Sequence, residues 1–329
     1  MNMAEPHTLS IANAGLRGSL RANEPMARHV SWRVGGVAAR AYVPADLEDL
    51  CAFLKSLPAD EPVLFCGLGS NLLVRDGGFR GTVVLTHTSH GEIRVDADAG
   101  DAAGGARSGA LVYAQAGVAS PKVARFAATR GFEGAEFLAG VPGTVGGALA
   151  MNAGCYGAET WQFVERVQVM TRGGQLRERA PADYSVGYRH VFLNKGALNA
   201  APADEWFSAA WFRFTPGDGV RSRERIKALL RQRIASQPLN LPNAGSVFRN
   251  PEGDHAARLI EASGLKGFVI GGARISEKHA NFIVTPGGRA SAADIEALIE
   301  HARATVLQQH GVALIPEVRI VGDKSGEKA

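Results

Sequence analysis

Two glycine-rich loops constrain this chain more than any other feature. The first is Gly67-Leu68-Gly69-Ser70-Asn71-Leu72-Leu73, and the second is Gly140-Val141-Pro142-Gly143-Thr144-Val145-Gly146-Gly147. Because glycine lacks a Cβ atom, backbone N–H groups in such loops can approach a ligand closely, and Ser70 or Thr144 adds a hydroxyl. Either loop alone is equally well explained as a tight turn. Together they predict a site for a diphosphate.

The first loop does not have the spacing of a Rossmann nicotinamide site. It follows a short apolar strand, Val63 to Cys66, but Leu72 stands where the third glycine of Gly-x-Gly-x-x-Gly would pack a helix against the strand. We therefore expect a dinucleotide that is bound in a different way.

Length and composition indicate an ordinary globular protein of two or three units. The chain has 329 residues, of which 46% are hydrophobic and 21% charged. No apolar run is long enough to span a membrane, and residues 1–24 lack the order of a secretion signal. Three cysteines suit a reducing compartment, so we expect a cytoplasmic protein.

The charge balance favours an anionic small molecule over a macromolecular partner. The net charge is +4, and the basic run at 221–233 is interleaved with apolar residues at helical spacing. We interpret this run as a solvated helix face and predict neither a nucleic-acid nor a membrane partner. His87 and His90 have loose metal-ligand spacing without a third ligand nearby, so no metal site is predicted.

Periodicity predicts alternating strands and helices along the chain. The predicted helices cover 46–57, 120–131, 222–237, 256–263 and 291–310, the last with Ser291 and Asp294 as a capping pair and Gly311 at its end. A weak hairpin and a mobile loop are predicted within 87–108. The remaining predicted strands cover 63–66, 82–85, 110–116, 164–170, 175–179, 206–214, 282–285 and 318–321. Prolines after the third helix make 215–242 the best candidate boundary between domains.

Motifs spread in order over residues 28–322 resemble those of the UDP-N-acetylenolpyruvoylglucosamine reductases, a family of flavoproteins in peptidoglycan synthesis. They are Trp32 to Gly36, Gly67 to Asp76, Leu138 to Gly140 through Asn152 to Gly157, Gly187 to Arg189, Asn243 to Pro251, Lys278 to Phe282 and Pro316 to Arg319.

The resemblance implies an α+β fold. An FAD-binding domain of the vanillyl-alcohol-oxidase (PCMH) type, in two lobes, would occupy residues 28–217. An α+β substrate-binding domain would follow at 218–322, with an N-terminal extension at 1–27 and a tail at 323–329.

The resemblance also implies non-covalently bound FAD, with NADPH as co-substrate. The FAD-binding residues carried over by motif are Gly67, Gly69, Ser70, Asn71, Leu72, Gly140, Pro142, Gly143, Thr144, Gly146, Gly147, Asn152, Ala153 and Gly154. The implied reaction is reduction of the enolpyruvyl ether of UDP-N-acetylglucosamine to UDP-N-acetylmuramate. A flavin oxidase of the same broad fold and a nucleotide-binding module without chemistry are the alternatives.

Three residues match the family's catalytic positions. Ser246 would donate a proton to the substrate, Arg189 would bind carboxylate, and Glu317 would stabilise the enol by hydrogen bonding. Judged without the resemblance, Ser246 is better explained as a turn cap, Arg189 as a surface residue and Glu317 as a solvent-facing strand residue.

Asn250 and Arg233 match positions that contact the UDP-sugar. Between Arg189 and Trp206 the chain has no tyrosine, which makes it similar to the second type of the family, whose members lack a tyrosine-bearing loop.

Overall fold

The computed structural model of the protein describes residues 8–9, 15–87, 91–96, 109–194 and 205–326. Its first lobe contains six strands, of which all but the fifth form a sheet in the order β1-β2-β3-β6-β4. The strands are β1 (Thr8–Leu9), β2 (Ser19–Pro25), β3 (Val37–Val43), β4 (Val63–Cys66), β5 (Leu72–Val74) and β6 (Phe79–Leu85). Strand β6 runs parallel to both β3 and β4. Helix α1 (Leu47–Ser56) confirms the predicted helix and begins where the Asp46 side chain accepts from the N–H of Asp49.

The N-terminal part of this lobe differs from the sequence prediction. Residues 1–27 were expected to form an extension, but β2 pairs with β3 along its length and Met26 is fully buried in the lobe's core. The sequence pattern indicates a strand only weakly here, because the β2 sequence, Ser-Leu-Arg-Ala-Asn-Glu-Pro, carries few apolar side chains. Backbone hydrogen bonds to β3 hold this strand in the sheet, and such bonds leave no pattern in its side chains.

The second lobe is an antiparallel sheet in the order β13-β12-β16-β8-β7, with β9 paired to the end of β16. The predicted strands of this region are confirmed to within two residues, whereas the segment 97–108 of the predicted weak hairpin lies outside the described residues. Helices α2 (Ser120–Thr129) and α3 (Val145–Ala150) cover the sheet. The strands are β7 (Ile93–Asp96), β8 (Ala110–Gln115), β9 (Phe132–Glu133), β12 (Val164–Thr171), β13 (Leu176–Arg179) and β16 (Glu205–Pro216).

Two short hairpins project from this lobe, one of β10 (Gly154–Cys155) with β11 (Ala158–Glu159) and one of β14 (Tyr184–Gly187) with β15 (His190–Leu193). Ser120, expected to cap α2, is instead its first residue, and the N-cap position falls on Ala119.

Helix α4 (Gly219–Ser236) begins three residues before its predicted start. The Asp218 side chain accepts from the N–H groups of Val220 and Arg221 and so fixes the first turn. Ile226 is buried in the core of the second lobe, and the Tyr156 hydroxyl donates to the carbonyl of Leu229. The helix after the expected 217/218 division therefore packs on the lobe before it. Its basic residues at 221, 223, 225, 227 and 231 are exposed, as a solvated helix face requires.

The C-terminal domain is a small α+β unit, which confirms the predicted class. Strands β17 (Val269–Ile270), β18 (Ala273–Ile275) and β19 (Ile283–Val284) form one sheet, and β20 (Arg319–Val321) pairs in parallel with β5 of the first lobe. Helix α5 (Ala256–Ala262) precedes the sheet, and α6 (Ala292–His310) shows the predicted capping box and ends at Gly311 with φ +69°. No helix in the described part of the chain combines the length and apolar character needed to cross a bilayer.

The first lobe and the C-terminal domain share one hydrophobic core. Trp32 is fully buried among C-terminal side chains, and its Nε1 donates to the carbonyl of Ile283 at 2.7 Å. The Asp76 carboxylate accepts from the N–H groups of Ala292 and Ala293, both at 2.9 Å, at the first turn of α6. These contacts join chain segments far apart in sequence, and the pairing of β20 with β5 places β20 beside the end of the first glycine loop.

Replacing Asp76 with alanine should destabilise the protein by about 1–2 kcal/mol, because two N–H groups of α6 lose their acceptor. Urea denaturation followed by circular dichroism measures this change. Asp60→Ala, at an exposed turn position, is the matched control and should leave the free energy of unfolding nearly unchanged. Equal effects of the two substitutions would show that Asp76 does not anchor α6.

Candidate functional site

The two glycine-rich loops lie against each other. The Ser70 hydroxyl donates to the carbonyl of Pro142 at 3.0 Å. A Cβ atom on Gly67 would lie 2.4 Å from Oγ1 of Thr144, and one on Gly143 would lie 2.7 Å from Oγ of Ser70. Gly143 also has φ +112°, which L side chains rarely adopt. Glycine is therefore required where the loops meet.

Backbone donors remain available at this junction. Within the described ranges, the N–H groups of Ser70, Asn71, Gly143 and Thr144 have no acceptor in the protein. Unpaired N–H groups on adjacent turns form a concave surface that binds anionic oxygen atoms, phosphate above all. The donors and the space that glycine leaves open fit the pyrophosphate of a dinucleotide.

A cleft of about 660 Å³ runs along both loops and reaches the C-terminal domain. This volume lies within the roughly 300–1,000 Å³ typical of small-molecule sites. Most residues predicted for the site line it, namely Gly67, Gly69, Ser70, Asn71, Leu72, Gly140, Pro142, Gly143, Thr144, Gly146, Gly147, Ala153, Gly154, Arg189, Arg233, Ser246 and Glu317.

Ser246 and Glu317 are brought to the cleft by a short antiparallel ladder. The N–H of Glu317 donates to the carbonyl of Val247 at 2.7 Å, and the N–H of Arg249 donates to that of Ile315 at 2.9 Å. Gly245, with φ +74°, turns the chain immediately before Ser246. The Ser246 hydroxyl has no hydrogen-bond partner among the described residues, so it is free to turn towards a ligand.

Arg189 sits at the tip of the β14–β15 hairpin, in the left-handed region with φ +59°. Its Nη1 and Nη2 donate to the carbonyls of Asn152 and Gly154 at 3.3 and 3.2 Å, and its Nε lies 2.8 Å from Oε1 of Glu317. The two Nη atoms together carry four N–H donors, so two of these remain for a ligand. The ion pair connects the second lobe to the C-terminal domain.

Glu317 is a buried acid between cations. Burial raises the pKa of its carboxyl, and the guanidinium groups of Arg189 and Arg249 oppose that rise without cancelling it. The carbonyl of Glu317 also accepts from Nδ2 of Asn71 at 3.1 Å, so the first glycine loop holds the same residue. The alternative interpretation from the sequence, in which Glu317 faces solvent, is therefore wrong.

Two predicted site residues lie outside the cleft lining. Asn152 is buried, and its side chain donates to Glu159 and to the carbonyl of Gly187 and accepts from the N–H of Trp161. Asn250 is exposed and accepts from the N–H of Ala256, at the first turn of α5. Arg233, in contrast, faces the cleft and donates to the carbonyl of Gly140 and to Gln237.

Sequence reasoning missed an aromatic wall and an additional cation. Phe65 and Trp206 stack with ring centroids 4.7 Å apart, and both line the cleft together with the exposed Phe192. Arg319 also lines it, one residue after Val318 in a motif singled out for its glutamate. The aromatic residues fall on strands distant in sequence, and no local pattern signals their pairing.

The described residues contain no cluster of three side chains able to hold a metal ion, and His90 of the loosely spaced histidine pair lies outside them.

The chain matches two family models, "FAD binding domain" over residues 38–179 and "UDP-N-acetylenolpyruvoylglucosamine reductase, C-terminal domain" over residues 237–321.

Relatives named as UDP-N-acetylenolpyruvoylglucosamine reductase resemble the whole chain. The protein of Thiobacillus denitrificans is 59% identical over 94% of each chain, and that of Nitrosospira multiformis is 56% identical over 98% of this chain and 94% of its own. The crystal structure of UDP-N-acetylenolpyruvylglucosamine reductase from Thermus caldophilus superposes with a TM-score of 0.71 at 28% identity, covering 93% of this chain and 99% of that one. The chain therefore belongs to the UDP-N-acetylenolpyruvoylglucosamine reductase family.

Proposed function

We propose that this protein uses NADPH and non-covalently bound FAD to reduce UDP-N-acetyl-3-O-(1-carboxyvinyl)-glucosamine to UDP-N-acetylmuramate for peptidoglycan synthesis in the cytoplasm. One observation carries the proposal: a buried Arg189–Glu317 pair and the unpartnered hydroxyl of Ser246 line the same cleft as the two glycine loops. A cation, an acid and a hydroxyl beside a dinucleotide cradle suit reduction of an anionic unsaturated substrate.

The glycine loops would hold the FAD pyrophosphate through the free N–H groups of Ser70, Asn71, Gly143 and Thr144. The chemistry that FAD would supply when bound is hydride transfer, from NADPH to the vinyl carbon distal to the substrate carboxylate. Cys155 is close enough to Gly140 to line the cleft, but burial raises the pKa of its thiol. A thiol kept protonated is a poor nucleophile, which agrees with a cofactor that is not tethered.

Arg189 would bind the substrate carboxylate with the two N–H donors that the protein leaves unused. Its Nη1 and Nη2 donate to two backbone carbonyls and its Nε lies 2.8 Å from Oε1 of Glu317, so the guanidinium is fixed before the substrate arrives. A fixed cation stabilises negative charge that spreads into the carboxylate during the reaction, without a cost of reorganisation.

Ser246 would donate the proton that the carbon next to the carboxylate requires. A serine hydroxyl is a weak acid, so this step depends on exclusion of water and on the charge stabilisation that Arg189 supplies. Glu317 would form a hydrogen bond to the enol oxygen. Its raised pKa keeps a proton on the carboxyl at a higher pH than on an exposed glutamate, which favours sharing of that proton with the substrate.

The UDP part of the substrate would extend along the C-terminal side of the cleft, near Arg233. We keep Asn250 as a proposed substrate contact, although its side chain accepts from the N–H of Ala256 at the start of α5. The proposed division of the chain into domains assigns FAD binding to residues 28–217 and substrate binding to residues 218–322. We also propose that the protein belongs to the second type of the family, since the sequence between Arg189 and Trp206 contains no tyrosine.

Replacing Ser246 with alanine should separate the two half-reactions. NADPH should still bleach the flavin at a near-normal rate, whereas reoxidation by the enolpyruvyl substrate should slow about 10²- to 10⁴-fold, because the proton donor is lost. Anaerobic stopped-flow absorbance measures both rates. The control is Ser325→Ala, an exposed position remote from the cleft. If both half-reactions slowed equally, Ser246 would not be the donor.

Replacing Gly143 with alanine should weaken FAD binding at least tenfold, because the new Cβ would approach Oγ of Ser70 in a backbone conformation that disfavours it. Flavin fluorescence during titration of the apoprotein gives the dissociation constant. Gly173→Ala is the matched control, since its Cβ would meet no atom closer than 3.8 Å. Unchanged FAD affinity in Gly143→Ala would exclude the second loop from the cofactor site.

The alternative of a flavin oxidase makes a different prediction with the same protein. An oxidase should be reoxidised rapidly by oxygen and should not respond to the enolpyruvyl nucleotide, whereas the proposed reductase should be reoxidised by that nucleotide under anaerobic conditions. Oxygen-dependent reoxidation without any nucleotide response would replace the proposal with the oxidase.

A further inference from the structure

The Nε atom of Arg249 is buried and has no hydrogen-bond partner. Among the described residues, no carboxylate lies within 4 Å of the Arg249 guanidinium. A buried donor without a partner is costly, so its presence calls for a physical explanation.

The antiparallel ladder places this cation beside Glu317. Val247 bonds to Glu317 and Arg249 bonds to Ile315, so Arg249 and Glu317 are diagonal neighbours on one face of the ladder. Diagonal neighbours lie about 7–8 Å apart at Cα, within reach of a long side chain. The charged groups that act on the Glu317 carboxyl are Arg189, from the hairpin tip, and Arg249.

The two cations differ in their access to ligand. Arg189 lines the cleft and has two donors left for a substrate, whereas Arg249 is not part of the cleft lining. When an anionic substrate enters, its carboxylate and that of Glu317 compete for Arg189. Arg249 is not part of the cleft lining, so we expect it to take no part in that competition.

We propose that Arg249 is a positioning residue, which acts on the Glu317 carboxyl through its charge, across the antiparallel ladder, and favours the ionised form of that carboxyl. This role deepens the proposed function, since Glu317 is the group it acts on. Arg189 can then give its remaining donors to the substrate without leaving Glu317 as an uncompensated buried charge.

The test is a direct titration of Glu317 in the FAD-loaded protein. Infrared difference spectra follow the band of its protonated carboxyl, identified as the band that Glu317→Gln lacks. In Arg249→Gln, the midpoint should move up by about one pH unit, because an opposite charge that lowers the pKa is removed. In Arg249→Lys, which keeps the charge, the midpoint should stay close to that of the unaltered protein.

Two further measurements separate this role from a purely structural one. The pH midpoint of the oxidative half-reaction should move upward with the infrared midpoint in Arg249→Gln, while flavin reduction by NADPH and the FAD dissociation constant should not change. If Arg249→Gln does not fold, Arg249→Met, which keeps an apolar stem, serves the same comparison.

An unchanged infrared midpoint in the uncharged variant would overturn the proposal, and so would equal shifts in the lysine and glutamine variants. A raised KM for the substrate with an unchanged midpoint would instead make Arg249 a binding residue and also overturn it. The infrared titration requires no turnover, so its result stands even if the proposed reaction is wrong.

Discussion

The ion pair between Arg189 and Glu317 is the contact on which the site depends. It joins the hairpin of the second lobe to a C-terminal strand segment, and both side chains are largely buried, with exposed fractions of 17% and 15%. Burying two charges is unfavourable unless their geometry is fixed and further hydrogen bonds satisfy them. Here backbone carbonyls of residues 152 and 154 hold the arginine, and the ladder to Val247 holds the glutamate.

On the cofactor side of the cleft, the interacting groups are also held in place by contacts within the protein. The Ser70 to Pro142 hydrogen bond joins one loop from each lobe, and glycine at 67 and 143 lets them touch. Because Asn71 of the first loop also bonds to the carbonyl of Glu317, the cradle and the charged pair belong to one connected framework. A ligand in the cleft would therefore meet donors that are already in place.

The sequence predicted what local patterns encode. The α6 helix was predicted with its cap at Ser291 and its end at Gly311, since a capping box and a C-terminal glycine are local signals. Strand β2 was missed because partners in β3, not its own side chains, hold it in place. The position of Arg189, Ser246 and Glu317 in one cleft was implied only by resemblance, because no periodicity relates residues so distant in the chain. The unpartnered Nε of Arg249 could not be predicted at all, since it depends on which acceptors the fold places near that atom.

In the proposed complex, the paired loops hold a flavin dinucleotide whose reactive ring faces Ser246, Arg189 and Glu317. A crystal structure of the FAD-loaded protein with the enolpyruvyl nucleotide tests it most directly. We expect the pyrophosphate on the N–H groups of Ser70 and Thr144, and the ring within about 4 Å of the substrate beside Ser246. A ring bound elsewhere, or an Arg189 side chain turned away from the substrate carboxylate, would contradict it.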